Sequence, residues 1–450
     1  MTPTPRRTRR CFVAGAASAL LAATLVAGCT SKTSSGDANG SADDSMTSMA
    51  LPADSAPPAT FLTGETPGAS PSPGSSPGSS PGASLSGGGG AGSAQPAVTT
   101  GATMTGFGNP LPGMPPVDDP ADLYNHDRPG MLSPVVAGFP NLIYVPNSNS
   151  NTVDVIDPST YKIVEHFAVP AQPQHVVPSY DLKTLWVNSD VGNALTPIDP
   201  ATGKPGKPVP VADPYNLYFT PDGTSALVMA ERLQRIDWRD PHTMALEHST
   251  NVPCKGVNHA DFSANGRYFI VSCEFDGQVL KVDTDTRQVV GHFQLAANAM
   301  PQDVKASPDG KVFYVADMNS NGVWEIDGDN FAKIGFIPTG KGAHGLYVSR
   351  DSKDLYVTNR SEGSISVVDL ATRTVRAKWP IAGGGSPDMG GVSADGTQLW
   401  VSGRYNGVVY DISTVDGHLI KKIKVGSGPH GLCVYPQPGR YSLGHTGVFR

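Results

Sequence analysis

The sequence lacks the motifs of several common catalytic chemistries. It contains no nucleophile elbow, no phosphate-binding loop, no metalloprotease helix and no Cys-x-x-Cys-His haem attachment. It also lacks a basic stripe, and its 450 residues carry a formal net charge of -7. That balance argues against a nucleic-acid partner. A binding module, or an enzyme whose site residues are dispersed along the chain, remains.

The first 29 residues have the pattern of an export signal. Four arginines lie among the first ten residues, an apolar run from Phe12 to Ala27 follows, and "LVAGC" ends at Cys29. The ending resembles the lipobox of bacterial lipoproteins. This resemblance implies that Cys29 becomes the lipid-modified first residue of the mature protein, held on the outer side of the bacterial cell membrane.

Two export routes fit this segment. The stretch "TRRCFV" at Thr8–Val13 resembles a twin-arginine signal, which implies export after folding. A general secretory signal with additional arginines is the alternative. The apolar run is short for a retained transmembrane anchor.

A Gly/Ser/Pro-rich stretch follows the signal. Residues 30–123 include "ASPSPGSSPGSSPGASLSGGGGAGSA", a composition that cannot bury a core. We therefore expect a disordered tether with a root-mean-square reach of about 50 Å. The predicted organisation is a signal peptide over 1–29, a tether over 30–123 and a folded domain over 124–450.

One fifteen-residue pattern recurs along the folded domain. Consecutive copies begin 41 to 44 residues apart, which is a repeat architecture. The copies start at Ser133, His175, Asn216, His259, Asp303, Gly345, Met389 and Gly431. Each unit alternates apolar and polar residues between turns such as "PDG", "NRSEG" and "DLATR", which predicts four antiparallel strands.

The repeat unit predicts a β-propeller, because a four-stranded unit buries both faces only when it stacks radially against others. The stretches "LYVTN" from Leu355 and "SVVD" from Ser366 resemble the YVTN-type β-propeller family. The resemblance spans Ser133 to Arg450 and implies an all-β propeller, but not a function, since that family is functionally mixed. Seven periods predict seven blades, with the segment after Gly431 closing the ring against the first blade.

An aspartate recurs near the end of each third strand, and recurrence predicts a structural role. We expect these residues to accept turn hydrogen bonds from the backbone. They are Asp157, Asp199, Asp237, Asp283, Asp327, Asp369 and Asp411.

Functional residues are expected where the units differ. First strands of propeller blades line the central channel, so the residues at their starts should ring its mouth. His344, Asp388 and His430 occupy this position in three successive units, and His175, His259 and Asp303 are expected on the far side. They are either polar residues filling a wet channel mouth, or metal ligands and acid–base groups.

The cysteines fit an exported protein. Cys254 and Cys273 are placed on the same face of one unit, where a disulfide is feasible, and two free thiols are the alternative. Cys433 is expected as a buried, inert thiol. The sequence thus predicts an exported, lipid-anchored binding module that uses its variable face on an extracellular protein or small ligand. The alternative is an enzyme or a metal- or cofactor-binding propeller that uses the His/Asp ring.

Overall fold

The computed structural model describes residues 108–450. The predicted signal peptide, Cys29 and the predicted tether up to residue 107 lie outside these residues. Over the described range, no helix has the length and apolar character needed to cross a membrane.

Residues 142–449 form seven antiparallel sheets, which confirms the seven-bladed propeller. In the second blade and in the fourth to seventh, consecutive strands follow one another from the channel outward, and within the described residues a single 3-10 helix, Pro134–Val136, precedes the strands. In chain order the strands are β1 (Leu142–Asn147), β2 (Thr152–Asp157), β3 (Lys162–Ala168), β4 (Pro173–Pro178), β5 (Leu185–Ser189), β6 (Ala194–Asp199), β7 (Lys204–Pro205), β8 (Val209–Pro210), β9 (Asn216–Phe219), β10 (Ala226–Ala230), β11 (Arg235–Arg239), β12 (Leu246–Asn251), β13 (Val257–Phe262), β14 (Tyr268–Cys273), β15 (Gln278–Asp283), β16 (Gln288–Gln294), β17 (Pro301–Ala306), β18 (Val312–Asp317), β19 (Gly322–Asp327), β20 (Ala332–Pro338), β21 (Ala343–Val348), β22 (Asp354–Asn359), β23 (Ser364–Asp369), β24 (Thr374–Pro380), β25 (Pro387–Val392), β26 (Gln398–Gly403), β27 (Val408–Ser413), β28 (Leu419–Lys424), β29 (Cys433–Tyr435), β30 (Ser442–Gly444) and β31 (Val448–Phe449).

The core lies between neighbouring blades. The inner and second strands are almost wholly buried, whereas outer strands such as β16 alternate between exposed and half-buried residues. One cluster joins Leu227 and Trp238 of one blade to Phe262 and Val271 of the next. Because the apolar faces of neighbouring blades pack together in this way, the ring is rigid and its inner strands are held in fixed positions.

The ring is closed as the sequence predicts, by a strand from the C-terminus. Strand β29 pairs with β1, with Val434 opposite Ile143 and Cys433 opposite Tyr144. The structure differs at the first repeat copy, where the sequence pattern predicts a strand. There Pro134–Val136 form the 3-10 helix, because β29 already occupies the inner position of this blade.

The chain continues beyond β29 as a hairpin that the repeat pattern did not predict. This C-terminal hairpin, residues 436–450, contains β30 and β31 and extends the third blade on its channel side. Gly444 pairs with Tyr218 of β9, the innermost strand of that blade. The hairpin therefore lies within the channel.

The folded domain begins earlier than expected. Residues 108–139, here the cap segment, pack on the face opposite the starts of the inner strands. The backbone N–H of Leu111 donates to the carbonyl of Asn265, and that of Leu123 donates to Pro308, each at 2.8 Å. Both leucines are buried, so the boundary placed at residue 124 is too late: large apolar residues near the end of the predicted tether belong to the core.

Five of the seven recurring aspartates accept turn hydrogen bonds as expected. Asp157 Oδ1, for example, accepts from the N–H of Ser159 at 2.8 Å. Asp237 and Asp411 are exceptions, because they lie inside β11 and β27 and are fully buried. Asp240 makes the expected turn in the third blade, so the repeat alignment was shifted by three residues there.

Candidate functional site

Five histidines lie together in the channel beneath the face where the inner strands start. Four come from the starts of inner strands, and all five are at most 1% exposed, so they form a packed cluster rather than a wet mouth. They are His175, His259, His344, His430 and His445. The ring centroid of His175 is 4.8 Å from that of His430, 5.2 Å from that of His445 and 5.5 Å from that of His259.

The fifth histidine reaches the cluster through the C-terminal hairpin. His445 follows β30, and its backbone N–H donates to the carbonyl of Leu217 at 2.9 Å. The repeat pattern alone places this residue at the end of the second strand of an incomplete unit. The sequence offers one signal for this position: the last unit is incomplete, and its His445, between Gly444 and Gly447, has no counterpart in the complete units.

Three of the five histidines form a group suited to a metal ion. In this imidazole triad of His175, His259 and His445, one ring nitrogen of each lies within 4.8 Å of those of the others. The Nε2 atom of each ring is buried and has no hydrogen-bond partner. Buried polar atoms in native proteins usually have hydrogen-bond partners, so three such nitrogens within one group of histidines mark a candidate ligand site.

The hydrogen bonds of two triad members set the tautomer that a metal requires. Nδ1 of His175 lies 2.9 Å from the carbonyl oxygen of Tyr215, and Nδ1 of His259 lies 3.1 Å from Oδ1 of Asn258. Because both partners are acceptors, each Nδ1 carries the proton and each Nε2 presents a lone pair. Metal-binding histidines in proteins are commonly oriented in this way.

The third member is held differently. Nδ1 of His445 lies 3.1 Å from Nδ2 of Asn216, while Oδ1 of Asn216 accepts from the N–H of Leu217 at 2.9 Å. Here Nδ1 accepts, so the proton is on Nε2. Metal binding through Nε2 requires the opposite tautomer, so the Asn216 amide, whose Oδ1 accepts from Leu217 and whose Nδ2 also donates to Tyr218 Oη, must release Nδ1 of His445 when an ion binds.

Burial keeps the triad uncharged. It lowers the pKa of His175 to about 3. Burial, reinforced by the imidazole of His175 and by the cations Arg360 and Lys305, lowers the pKa of His259 well below the usual value for histidine. Burial, with His259 and His175 nearby, does the same to the pKa of His445. All three rings are therefore neutral at pH 7, which is the form that binds metals.

The three residues on which the sequence analysis centred the site are brought together, but as part of an ion pair. Arg360 donates to Oδ1 of Asp388 from Nε at 3.0 Å and from Nη2 at 2.7 Å. Nη2 of Arg360 also contacts Nε2 of His344, whose Nδ1 lies 3.1 Å from Asp388 Oδ1. His430 is nearby, with Nε2 3.7 Å from Asp388 Oδ2.

This ion-paired cluster of His344, Asp388, His430 and Arg360 fits a metal poorly. Although burial opposes the charge, the Asp388 carboxylate raises the pKa of Arg360 above its usual value, so the guanidinium stays charged. A fixed cation already neutralises the carboxylate and occupies one histidine nitrogen. Of the six candidates from the sequence, His175 and His259 are thus the pair best placed to bind a metal.

The carboxylate of Asp303 instead accepts hydrogen bonds from the backbone. Its Oδ1 accepts from the N–H of Val304 and its Oδ2 from the N–H of Leu346, each at 2.9 Å. Burial raises its pKa to about 6. Oδ1 is also 3.7 Å from Nε2 of His445, so this carboxylate flanks the triad without replacing one of its members.

The cysteines and the acidic residues beside His259 complete the surroundings. The structure joins Cys254 and Cys273 in a disulfide with a Cα–Cα distance of 6.0 Å, and this bond ties the segment before His259 to the end of β14. Nδ2 of Asn258 donates to Oε2 of Glu274 at 2.7 Å and is 3.5 Å from Oε1 of Glu231. Cys433, elsewhere, is buried with a free thiol, and burial raises its pKa.

A family comparison agrees with this architecture. The family model described as a YncE-like β-propeller matches residues 129–439. The chain belongs to the YncE-like β-propeller family. The match covers all seven blades and supports the expectation of a propeller repeat family. No curated protein matches the chain.

Several solved structures share the fold at low sequence identity. Hydrazine synthase of Kuenenia stuttgartiensis has a TM-score of 0.53 and 18% identity, over 61% of this chain and 92% of that one. A functionally unknown protein from Desulfotomaculum acetoxidans has a TM-score of 0.54 and 16% identity, over 65% and 98%. A putative 6-phosphogluconolactonase from Bacteroides uniformis has a TM-score of 0.52 and 19% identity, over 65% and 99%. At these identities the likeness shows the fold alone.

Proposed function

We propose that this propeller is a binding module whose ligand is a transition-metal ion, held in the channel by the imidazole triad. The observation that carries this proposal is the grouping of three buried histidines, with one ring nitrogen of each within 4.8 Å of the others and with Nε2 atoms that have no hydrogen-bond partners. Leaving such atoms unsatisfied costs about 1–3 kcal/mol each, and a single ion satisfies all three.

The ligand chemistry favours Zn²⁺ or Cu²⁺. Neutral imidazoles bind these borderline ions well, whereas Mg²⁺ and Ca²⁺ prefer oxygen ligands. Three histidines also leave a fourth coordination position, which in zinc enzymes holds water or substrate. The second function, an enzyme that uses this position, rests on that feature, and the chain's own residues do not identify a reaction.

The nearby carboxylates support a cationic ligand. Burial and the neighbouring carboxylate of Glu274 raise the pKa of Glu231 well above its usual value. A cation bound beside these carboxyl groups would favour their ionised form, because a nearby opposite charge lowers a carboxyl pKa. Asn258 joins these carboxylates to His259 through hydrogen bonds, so the acidic residues lie directly beside the triad.

The metal proposal is tested by competition with a chromophoric chelator on protein first stripped of metal. Wild type should bind one equivalent of Zn²⁺ or Cu²⁺ tightly. The His259→Ala variant should bind at least 100-fold more weakly, because the loss of a residue that only contacts a metal ligand already weakens binding by up to about 100-fold. His242→Ala removes an exposed histidine in a turn and is the matched control. Equal affinities for wild type and His259→Ala would refute the site.

We also propose that the protein is exported and anchored on the outer side of the bacterial cell membrane through a lipid on Cys29. The signal pattern and "LVAGC" support this location, and a Cys254–Cys273 disulfide is expected in an oxidising compartment. A fatty-acid probe should label wild type but not Cys29→Ala, and equal labelling would contradict the anchor. Undiminished export of the Arg9→Lys, Arg10→Lys variant would remove the twin-arginine route.

A further inference from the structure

The C-terminal hairpin is not needed to close the ring. Closure is made by β29, which pairs with β1, and residues 436–450 come after it. Yet the hairpin is buried in the channel along its length, from Tyr441 to Arg450. We therefore expect the hairpin to have a role other than completing a blade.

The hairpin joins the ring through short strands. Strands β30 and β31 have three and two residues; Gly444 lies opposite Tyr218, and the backbone N–H groups of Ser442 and His445 donate to the carbonyls of Tyr180 and Leu217. Side chains add further contacts: Oγ of Ser442 donates to the carbonyl of Pro178 at 3.0 Å, and Arg450 Nη2 donates to Asp261 Oδ1 at 2.8 Å. Because the hairpin follows the closing strand β29, it can open without breaking the ring, although opening exposes apolar side chains such as Leu443 and Val448.

The tip of the hairpin is shaped to present a histidine. His445 has a φ of 52° and lies between Gly444 at 100° and Gly447 at 145°. Glycine is the residue that most readily adopts this left-handed region, although asparagine, aspartate and histidine also occur there. The role of the His445 side chain as a ligand of the proposed metal explains why a histidine is buried at this turn, with Nε2 in the triad.

The hairpin also contacts the cap segment on the far side of the channel. Arg440 Nη2 donates to the carbonyl of Pro116 at 2.9 Å, and Gly439 bridges to Leu132. The guanidinium of Arg450 lies 4.8 Å from the ring centroid of Tyr124. The hairpin thus connects the triad to the segment that follows the predicted tether.

We propose that a bound metal ion locks the C-terminal hairpin in the channel and, through it, the cap segment. This inference rests on the proposed metal site. Two ligands, His175 and His259, belong to inner strands of the ring, and the third belongs to a terminal segment that takes no part in closing the ring. When the hairpin opens, the ion loses one of three ligands, so the metal must favour the closed state.

Linkage makes the size of this effect predictable. If opening weakens metal affinity by a given factor, a saturating metal reduces opening by the same factor. His445→Ala imitates the loss of the third ligand, and its loss in metal affinity measures that factor. We expect at least a tenfold loss in affinity, and an equal decrease in the equilibrium population of the open hairpin in the wild type.

Amide hydrogen exchange, read by mass spectrometry on the full mature chain, tests the lock. Hairpin amides that bond to the protein, such as that of His445 to Leu217, should exchange at least tenfold more slowly with Zn²⁺ than after chelation. Peptides from β18 and β19 should not change. The Thr446→Ala variant alters the same turn without removing a ring nitrogen and should keep the metal-dependent protection.

The outcomes separate the two proposals. If wild type binds the metal but the hairpin exchanges equally with and without it, the lock is wrong and the metal site stands. If protection also depends on metal in His445→Ala, the third ligand is not His445 and the lock as stated is wrong. If wild type binds no metal, both proposals are wrong.

Discussion

Metal binding by the imidazole triad should be almost independent of pH between 7.5 and 5.5. An ordinary histidine has a pKa of about 6.5, so it is mostly protonated at pH 5.5. Proton competition then weakens metal binding about tenfold per histidine, and about 1,000-fold for three. In this protein burial lowers the pKa of His175 to about 3 and those of His259 and His445 well below the usual value.

The sign of the effect follows from these shifts. A lowered pKa keeps each ring neutral as the pH falls, so there is no proton for the metal to displace until far more acidic conditions. We expect the Zn²⁺ affinity to change by less than about threefold over this range, because desolvation rather than solvent sets the protonation state. At pH 6, the three rings should release almost no protons on binding, whereas three ordinary histidines would release about two; the flanking Asp303, whose pKa is about 6, adds at most one in either case.

Calorimetry at pH 6 in buffers of different ionisation enthalpy measures proton release directly, and competition with a chelator of known pH dependence measures affinity. The same titration on His344→Ala controls for the neighbouring ion-paired cluster. Release of about two protons per ion, or a weakening of the order of 1,000-fold at pH 5.5, would show that the ions bind to solvated histidines and would refute the buried triad.

Three further predictions concern stability. A chain that starts at Tyr124 should melt at a lower temperature than one that starts at residue 108, since two buried leucines of the cap segment contribute up to about 3–6 kcal/mol; equal melting would contradict the packing seen here. Deletion from Gly431 should expose the edge of β1 and cause aggregation, whereas deletion from Pro436 should leave a soluble ring; gel filtration compares the two, and a soluble monomer after the longer deletion would place closure elsewhere. The double serine variant of the Cys254–Cys273 pair should lose about 3 kcal/mol in denaturant unfolding, because the bond closes a loop of 19 residues, and an unchanged midpoint would argue against the bond.

The fold could be predicted because the same pattern of strands and turns repeats along the chain. Alternating strands and tight turns recur every 41 to 44 residues, and seven copies over-determine both the strand pattern and the blade count. The same regularity placed His175 and His259 at the starts of inner strands, and therefore beside the channel. Their proximity follows from the closed ring, not from any local motif.

The remaining features depend on departures from the repeat. His445 lies in a hairpin that occurs once, so no other copy shows where it goes. The pairing of Arg360 with Asp388 depends on the rotamers of both side chains, and a repeat alignment carries no information about rotamers. Asp411 was misplaced because register within a strand can shift while the blade spacing stays constant.

X-ray absorption spectroscopy on protein loaded with one equivalent of Zn²⁺ or Cu²⁺ tests the central claim most directly. The account predicts an ion bonded to three imidazole nitrogens at about 2.0–2.1 Å for zinc, with one imidazole lost in each of His175→Ala, His259→Ala and His445→Ala. It also predicts an unchanged spectrum in His242→Ala. A coordination shell made mostly of oxygen, or one that none of the three triad variants alters, would contradict it.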